Sequence, residues 1–180
     1  LASEQEKHHL VASALAARDA ELASMQSTYD AMVSDLESEV SAGQIEIERL
    51  RDGIQLNVSD DVIFASGSAE LDEIGREVLT KVAGQIAALE DFVEVSGHTD
   101  NRKIGGALAR RFPSNWELAA ARAARVVRLL EAEGVAGERL AAVSRGPFDP
   151  VQPNDSAAHR ALNRRIEIRL TPRTPRSAEP

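Results

Sequence analysis

The chain has 180 residues, a formal net charge of −8 and no cysteine, and its hydrophobic fraction of 43% includes only 3% aromatic residues. The absence of cysteine excludes disulfides, zinc–thiolate sites and thiol catalysis. Residues 1–50 hold ten acidic and three basic side chains, whereas residues 51–180 hold 19 and 18. The C-terminal part therefore lacks the basic surface that nucleic-acid binding requires, and we expect no nucleic-acid partner.

The first 52 residues form an acidic arm with a helical repeat of apolar and small residues. The repeat runs from Val11 to Ile54, and almost all of its steps are three or four residues. An extra step of four between Leu36 and Val40 is typical of a stutter in a coiled coil. The arm is predicted to be one long helix. Two arrangements fit the pattern: a parallel dimeric stalk, which we favour, and a single amphipathic helix folded back on the domain.

A change of pattern at Arg51-Asp52-Gly53 marks the start of a domain that we place at residues 53–170. Strands are predicted where apolar residues alternate, and helices where they recur every three or four residues. The predicted elements are a strand at 54–58, a turn at 59–61, a short apolar segment at 62–64, a helix at 72–89, a strand at 92–96, a helix from Asn115 that Gly134 closes, a strand at 140–144, a short helix ending near Leu162 and a strand at 164–170.

This order of elements predicts an α+β fold of the βαβαβαβ type. Such a chain forms a two-layer sandwich, in which helices cover one face of a mixed sheet of about four strands. Residues 171–180 are predicted to be a disordered tail. No run of about 18 apolar residues occurs, so no membrane-spanning helix is predicted within the chain.

The helix that begins near Asn115 carries the most specific polar pattern. A capping box in Ser114-Asn115-Trp116-Glu117 marks its start. Asn115, Leu118 and Arg122 then share one face, which is otherwise apolar. A guanidinium on such a face requires an acceptor, and Asp100, at the end of the preceding strand, is the candidate. A ligand with both an ammonium and a carboxylate would satisfy Asp100 and Arg122 together.

Ser96, His98 and Asp100 alternate along one strand and raise two other interpretations. A metal site would need a third ligand at suitable spacing, and the other histidines lie far away in the sequence. A hydrolytic triad would require these side chains to contact one another in relay, whereas alternation aims them in parallel. We therefore expect no metal, no cofactor and no enzymatic activity.

Four further motifs follow one another along residues 54–170. They are Phe64-Ala65-Ser66-Gly67-Ser68-Ala69-Glu70-Leu71, Ser96-Gly97-His98-Thr99-Asp100, Asn115-Trp116-Glu117-Leu118 with Arg122-Ala123, and Asn163-Arg164-Arg165-Ile166-Glu167-Ile168. In order and spacing they resemble the OmpA-like peptidoglycan-binding domain. The long connection between Asp100 and Ser114 is most similar to the MotB-like branch of that family, which is found in flagellar stators.

This resemblance implies non-covalent binding of the diaminopimelate residue of the peptidoglycan stem peptide. In the family, the Asp at the position of Asp100 holds the ammonium, and the Arg at the position of Arg122 holds the carboxylate. The family pattern also places Arg164 on the pocket side and makes Arg165 structural. The candidate ligand-binding residues are Thr99, Asp100, Asn101, Asn115, Leu118, Arg122 and Arg164.

The connection before the capped helix is unusually basic. Arg102, Lys103, Arg110 and Arg111 flank Gly105-Gly106. One interpretation is a solvated, mobile loop; the other is an electrostatic lip that attracts carboxylates of the cell wall.

The combined prediction is a binding module that anchors a membrane-attached protein to the cell wall. We expect a periplasmic domain of a Gram-negative bacterium, a homodimer formed through the arm, and a membrane partner reached through a segment that precedes Leu1. A MotB-like stator subunit and an outer-membrane lipoprotein tether are the alternatives. A membrane helix with a buried Asp before Leu1 would indicate the stator, and a lipobox Cys would indicate the lipoprotein.

Overall fold

The computed structural model describes residues 2–173. The elements in chain order are α1 (Ala2–Asp35), α2 (Glu37–Ser41), β1 (Ile45–Arg49), β2 (Ile54–Ser59), α3 (Asp60–Ile63), α4 (Glu73–Ala87), β3 (Phe92–His98), α5 (Gly106–Arg111), α6 (Asn115–Ala132), a 3-10 turn (Gly137–Arg139), β4 (Leu140–Gly146), α7 (Ala157–Asn163) and β5 (Arg165–Thr171). The predicted α+β sandwich with a long N-terminal helix is confirmed. None of the helices in the described part is long and apolar enough to cross a membrane.

The sheet has five strands in the order β1-β2-β5-β3-β4, one more than predicted. All neighbouring strands are antiparallel except β3 and β4, which are parallel. Alternation places the apolar side chains of each central strand on one face, where α4 and α6 cover them and form the core with them. Fully buried members of this core include Leu56, Val58, Val95, Ile168 and Leu170.

Helix α6 lies so close to β3 that a side chain cannot fit between them. A Cβ atom added at Gly97 would lie 2.3 Å from the carbonyl oxygen of Ala119, so only glycine permits this approach. The contact brings the first two turns of α6 to the end of β3, directly beside Asp100. The local backbone therefore positions the two elements that the sequence analysis singled out.

The C-terminal half of the arm is folded back on the domain. Met25, Met32 and Leu36 are 6%, 1% and 1% exposed, and they belong to the same core as the sheet residues. Polar contacts fix the same packing, because Arg49 donates to Gln26 and Lys81 pairs with Glu39. Of the two arrangements predicted for the arm, the structure therefore shows the folded-back helix for this half.

The prediction of a helix through residue 52 is wrong for Ile45–Arg49, which forms β1 and pairs with β2. Gly43, with a φ of +70°, ends the helical part of the arm. Ile45 and Ile47 then alternate with glutamates, and Ile45 is buried in the core. In a five-residue segment, the spacing of the apolar residues fits both the period of a strand and that of a helix. The segment forms a strand because it can pair with the edge of β2.

Two short helices occupy segments where none was predicted. Helix α3 follows β2 where a turn was expected, and α5 lies within the long connection before α6. At the C-terminal end, Thr171 is the last residue of β5. Residues 174–180, most of the predicted tail, lie outside the described residues.

Candidate ligand-binding site

A polar pocket of about 290 Å³ opens where the ends of β2 and β3 meet the start of α6. Its walls come from α3, from the segment that follows α3, from the connection after β3, from α6 and from the residue before β5. Six of the seven candidate residues line it: Thr99, Asp100, Asn115, Leu118, Arg122 and Arg164. The seventh, Asn101, is exposed and does not line the pocket.

Arg122 is held by an unexpected carboxylate. Its Nη1 lies 2.8 Å from Oδ2 of Asp60, and its Nε and Nη2 donate to the carbonyl oxygen of Ser68 at 3.2 and 2.7 Å. The Phe64 ring lies beneath the guanidinium, with 4.9 Å between Cζ and the ring centroid. Among the described residues these contacts use three of the five N–H donors of Arg122. The side chain is therefore fixed before any ligand arrives.

The prediction that Asp100 is the acceptor for Arg122 is wrong. Asp100 Oδ2 instead pairs with Arg164 Nη1 at 3.0 Å, and its Oδ1 accepts from the backbone N–H of Arg102 at 2.9 Å. The other arm of the Arg164 guanidinium reaches Asp61 at 3.1 Å. Asp60 competes successfully for Arg122 because it is buried beside the guanidinium, where a carboxylate without a cation would be costly.

The remaining lining residues shape the wall between β3 and α6. Asn115 Nδ2 donates to the carbonyl oxygen of Arg102 at 2.9 Å, which ties the connection after β3 to the first turn of α6. Ser114 caps that turn by accepting from the N–H of Trp116 at 3.1 Å. Its hydroxyl also donates to the Glu117 carboxylate, in place of the reciprocal backbone bonds that the capping box predicts. Leu118 is 3% exposed and gives the pocket an apolar wall.

His98 and Arg165 serve the sheet and do not line the pocket. His98 is 2% exposed, and its Nε2 lies 3.3 Å from Oε2 of Glu167. Arg165 pairs with Glu167 at 2.7 Å and donates to the carbonyl oxygens of Asn163 and Asp149. Burial raises the pKa of Glu167, but His98 and Arg165 outweigh this effect and hold it at about 2. Across residues 2–173, no cluster of three or more histidine and carboxylate side chains could hold a metal ion.

Residues 63–164, more than half of the chain, match the OmpA family. The chain belongs to the OmpA family. Within this family, its sequence is 34% identical over 120 residues to the peptidoglycan-binding protein ArfA of Mycobacterium tuberculosis, a match that spans 66% of this chain and 35% of ArfA.

Two solved structures share both fold and sequence with this OmpA-family chain. The cell wall anchor of the T6SS from Pseudomonas aeruginosa is 34% identical, with a TM-score of 0.73 over 79% of this chain and 97% of the anchor. The periplasmic domain of Helicobacter pylori MotB is 30% identical, with a TM-score of 0.64 over 72% of this chain and 83% of that domain. The chain spans 51%, 63% and 59% of the length of three other known relatives.

The structure adds Asp60, Asp61, Phe64 and Ser68 to the residues that sequence reasoning placed at the site. A signal for Asp60 was present in the alternation of β2, because Ile54, Leu56 and Val58 face the helices and Asp60 is the next residue in that series. A carboxylate on the buried face, in a domain with a buried arginine, predicts an ion pair. The sequence pattern instead predicts a turn at residues 59–61.

Burial gives Asp60 unusual acid–base behaviour in this OmpA-family pocket. It raises the pKa of Asp60 to about 6, although the Arg122 guanidinium opposes the shift; the neighbouring Asp61 carboxylate adds to it. Burial also lowers the pKa of Arg122, against the effect of Asp60. Each partner thus carries a desolvation cost that the ion pair compensates only in part.

The basic connection contributes part of the pocket rim. Arg102 and Lys103 line the pocket, whereas Arg111 turns away and pairs with Glu70 at 3.3 Å. The pocket therefore combines an exposed cationic rim, the partly exposed Asp100–Arg164–Asp61 chain and the buried Asp60–Arg122 pair. Such an arrangement suits a small zwitterionic ligand that exchanges partners with charges already in place.

Proposed function

We propose that this OmpA-family domain binds peptidoglycan non-covalently by holding the diaminopimelate residue of the stem peptide. Asp100 accepts the side-chain ammonium of that residue, and Arg122 holds the carboxylate beside it. Thr99, Asn115 and Leu118 complete the contact surface, and Arg164 moves from Asp100 toward a second ligand carboxylate. The observation that carries the proposal is the convergence of Asp100, Arg122 and Arg164 on one open pocket.

The prepaired charges explain how the pocket stays stable without ligand. Arg122 keeps Asp60 and Ser68 as partners while its remaining N–H donors meet the ligand. The Asp100–Arg164 pair is more accessible, since the Arg164 side chain is 29% exposed. A ligand ammonium replaces one arm of Arg164 at Asp100, so that the net number of charge-assisted contacts does not fall.

A sedimentation assay with insoluble, diaminopimelate-type sacculi tests the proposal. Asp100→Asn keeps the shape of the side chain but removes its charge. It should make the free energy of binding to sacculi less favourable by about 2–5 kcal/mol, so that less protein sediments with them. Asp52→Asn is the matched control, because Asp52 is also paired with an arginine, Arg169, but lies outside the pocket. Retention of Asp100→Asn equal to that of the control would contradict the proposal.

Binding without catalysis is part of the same proposal. The similarity to a protein named as a cell wall anchor supports it. Overnight incubation of purified sacculi with the full chain should release no muropeptides above the buffer control. Release of muropeptides that persists through a second purification step would assign the domain to cell-wall hydrolysis.

The domain acts in the periplasm and anchors a membrane-attached protein to the cell wall. Similarity to the periplasmic domain of MotB supports this location and makes a stator subunit the second candidate function; an outer-membrane lipoprotein tether is the third. The sequence encoded upstream of Leu1 distinguishes them. A membrane helix with a buried Asp supports the stator, and a lipobox Cys supports the lipoprotein.

Homodimerisation uses the N-terminal half of α1, because the C-terminal half packs against the domain of the same chain. Leu10, Val11 and Leu15 are 63%, 60% and 60% exposed on this half. Their burial in a second copy would remove apolar area from water. Light scattering of the full chain over a micromolar concentration series should show a dimer that Leu15→Glu weakens. A monomer at every concentration would contradict dimerisation.

A further inference from the structure

A stacked pair of aromatic rings lies on the surface beside the pocket. The Trp116 and Phe148 ring centroids are 5.3 Å apart, with an interplanar angle of 28°, and the two residues are 47% and 70% exposed. The chain has one Trp, one Tyr and four Phe. Its single tryptophan, Trp116, is therefore a surface residue and not part of the core. Clustered exposed aromatics of this kind mark binding surfaces more often than isolated ones do.

Hydrogen bonds hold the backbone at both aromatic residues. The carbonyl oxygen of Trp116 accepts from Ser144 Oγ at 2.9 Å, and its indole lies against Gly146, where an added Cβ would be 3.3 Å from the ring. The N–H of Phe148 donates to the carbonyl oxygen of Arg145 at 3.3 Å. The indole, which packs on Gly146 and stacks on Phe148, therefore has less conformational freedom to lose when a ligand binds.

The aromatic pair and the pocket share a wall. Asn115, which lines the pocket, directly precedes Trp116 in the first turn of α6. On the other side, Gly146 accepts from the N–H of Thr99 at 2.9 Å, and Thr99 also lines the pocket. A ligand that fills the pocket and continues past Asn115 or Thr99 therefore meets the aromatic rings next.

We infer that Trp116 and Phe148 form a platform for a sugar ring of the peptidoglycan glycan strand, an inference that rests on the proposed function. A pyranose ring has apolar C–H faces and a polar rim, and it packs against the electron-rich face of an aromatic ring. Two residues separate diaminopimelate from the muramic acid to which the stem peptide is attached. An extended chain covers about 3.3–3.6 Å per residue, so the sugar lies roughly 10 Å from the α-carbon of diaminopimelate, and a stem peptide that leaves the pocket over Asn115 carries it toward Trp116.

Two probes that differ in the sugar test this inference by calorimetry on the full chain. One is N-acetylmuramyl-L-Ala-γ-D-Glu-meso-diaminopimelate, and the other is the same tripeptide with an N-acetyl cap in place of the sugar. The wild-type chain should bind the sugar-bearing probe about three- to tenfold more tightly. The fluorescence of Trp116, the single tryptophan, should change with the sugar-bearing probe and much less with the capped tripeptide.

Phe148→Ala should abolish the preference for the sugar while it leaves the affinity for the capped tripeptide unchanged. Phe92→Ala is the matched control, because Phe92 is 46% exposed and begins β3, at the other end of the strand from the pocket. This control should keep the wild-type preference. Equal affinity of the wild-type chain for both probes would contradict sugar binding by the aromatic pair but not the proposed function. The two rings would then be a candidate surface for a protein partner. Failure of both probes to bind would overturn the proposed function as well.

Discussion

Arg122 on α6 and Asp60, the first residue of α3, face each other inside the domain, with 2.8 Å between Nη1 and Oδ2 and side-chain exposures of 7% and 8%. This pair joins α6 to the segment that directly follows β2, at the base of the pocket. It also fixes the guanidinium that we assign to the ligand carboxylate. Removing either member leaves the other as a buried charge without its partner.

Asp60→Ala should therefore lower the free energy of unfolding by about 3–5 kcal/mol. Asp61→Ala is the matched control: its carboxylate pairs with Arg164, but its side chain is 64% exposed, so the expected loss is about 0–1 kcal/mol. Urea denaturation followed by circular dichroism measures both. Similar stabilities of the two variants would show that the buried pair does not support the fold.

The sequence predicted the start of α6, its pocket-lining residues and four of the five strands, because each depends on local signals. Ser114, which the sequence predicts as the N-cap of α6, caps this helix in the structure. The partner of Arg122 was not predictable in the same way, because the choice between Asp60 and Asp100 depends on how β2, β3 and α6 meet in space. Ile45 and Ile47 were assigned to the helical repeat because a five-residue segment fits two periods.

Ligand affinity should rise as the pH falls through the pKa of Asp60, which burial raises to about 6. Above this pH Asp60 is ionised and neutralises Arg122. Below it Asp60 is protonated, and more of the Arg122 charge acts on a ligand carboxylate. Between about pH 7.5 and pH 5, the affinity for a diaminopimelate tripeptide should rise about three- to tenfold.

Asp60→Asn provides the control for this pH dependence, since an amide does not titrate in this range. Calorimetry at the two pH values should give equal affinities for the variant. A wild-type affinity that is flat or that falls over the same range would contradict the role of Asp60.

The free energy of unfolding should fall as the pH falls, because Glu167 becomes protonated. This direction is opposite to that of the ligand affinity. The folded pKa of Glu167, about 2, lies below the usual value of 4.5, so its stabilisation is complete above about pH 4.5 and is lost as the pH falls toward 2. Glu167→Gln should lower the unfolding free energy by about 2–3 kcal/mol at neutral pH. Denaturant titrations should show this difference shrinking toward zero near pH 2. A difference that is constant with pH would contradict the stabilisation of the Glu167 carboxylate by His98 and Arg165.

The folded-back arm should contribute to the stability of the domain. Met32 is 1% exposed in the shared core, so Met32→Ala should cost about 2–5 kcal/mol of unfolding free energy. Ile74→Ala is the matched control on α4, because Ile74 is 54% exposed, and its cost should stay within about 0.5 kcal/mol. Equal effects of the two substitutions would show that α1 is detached from the domain in solution.

The affinity of the full chain for two stem tripeptides that differ only in the third residue tests the central claim most directly. One carries meso-diaminopimelate and the other L-lysine, which lacks the carboxylate assigned to Arg122. A site built for a charged group rejects an analogue that leaves its own buried group without a partner. Calorimetry should therefore show the lysine peptide binding at least about 30-fold more weakly, and equal affinities would contradict the assignment of Arg122 to the ligand.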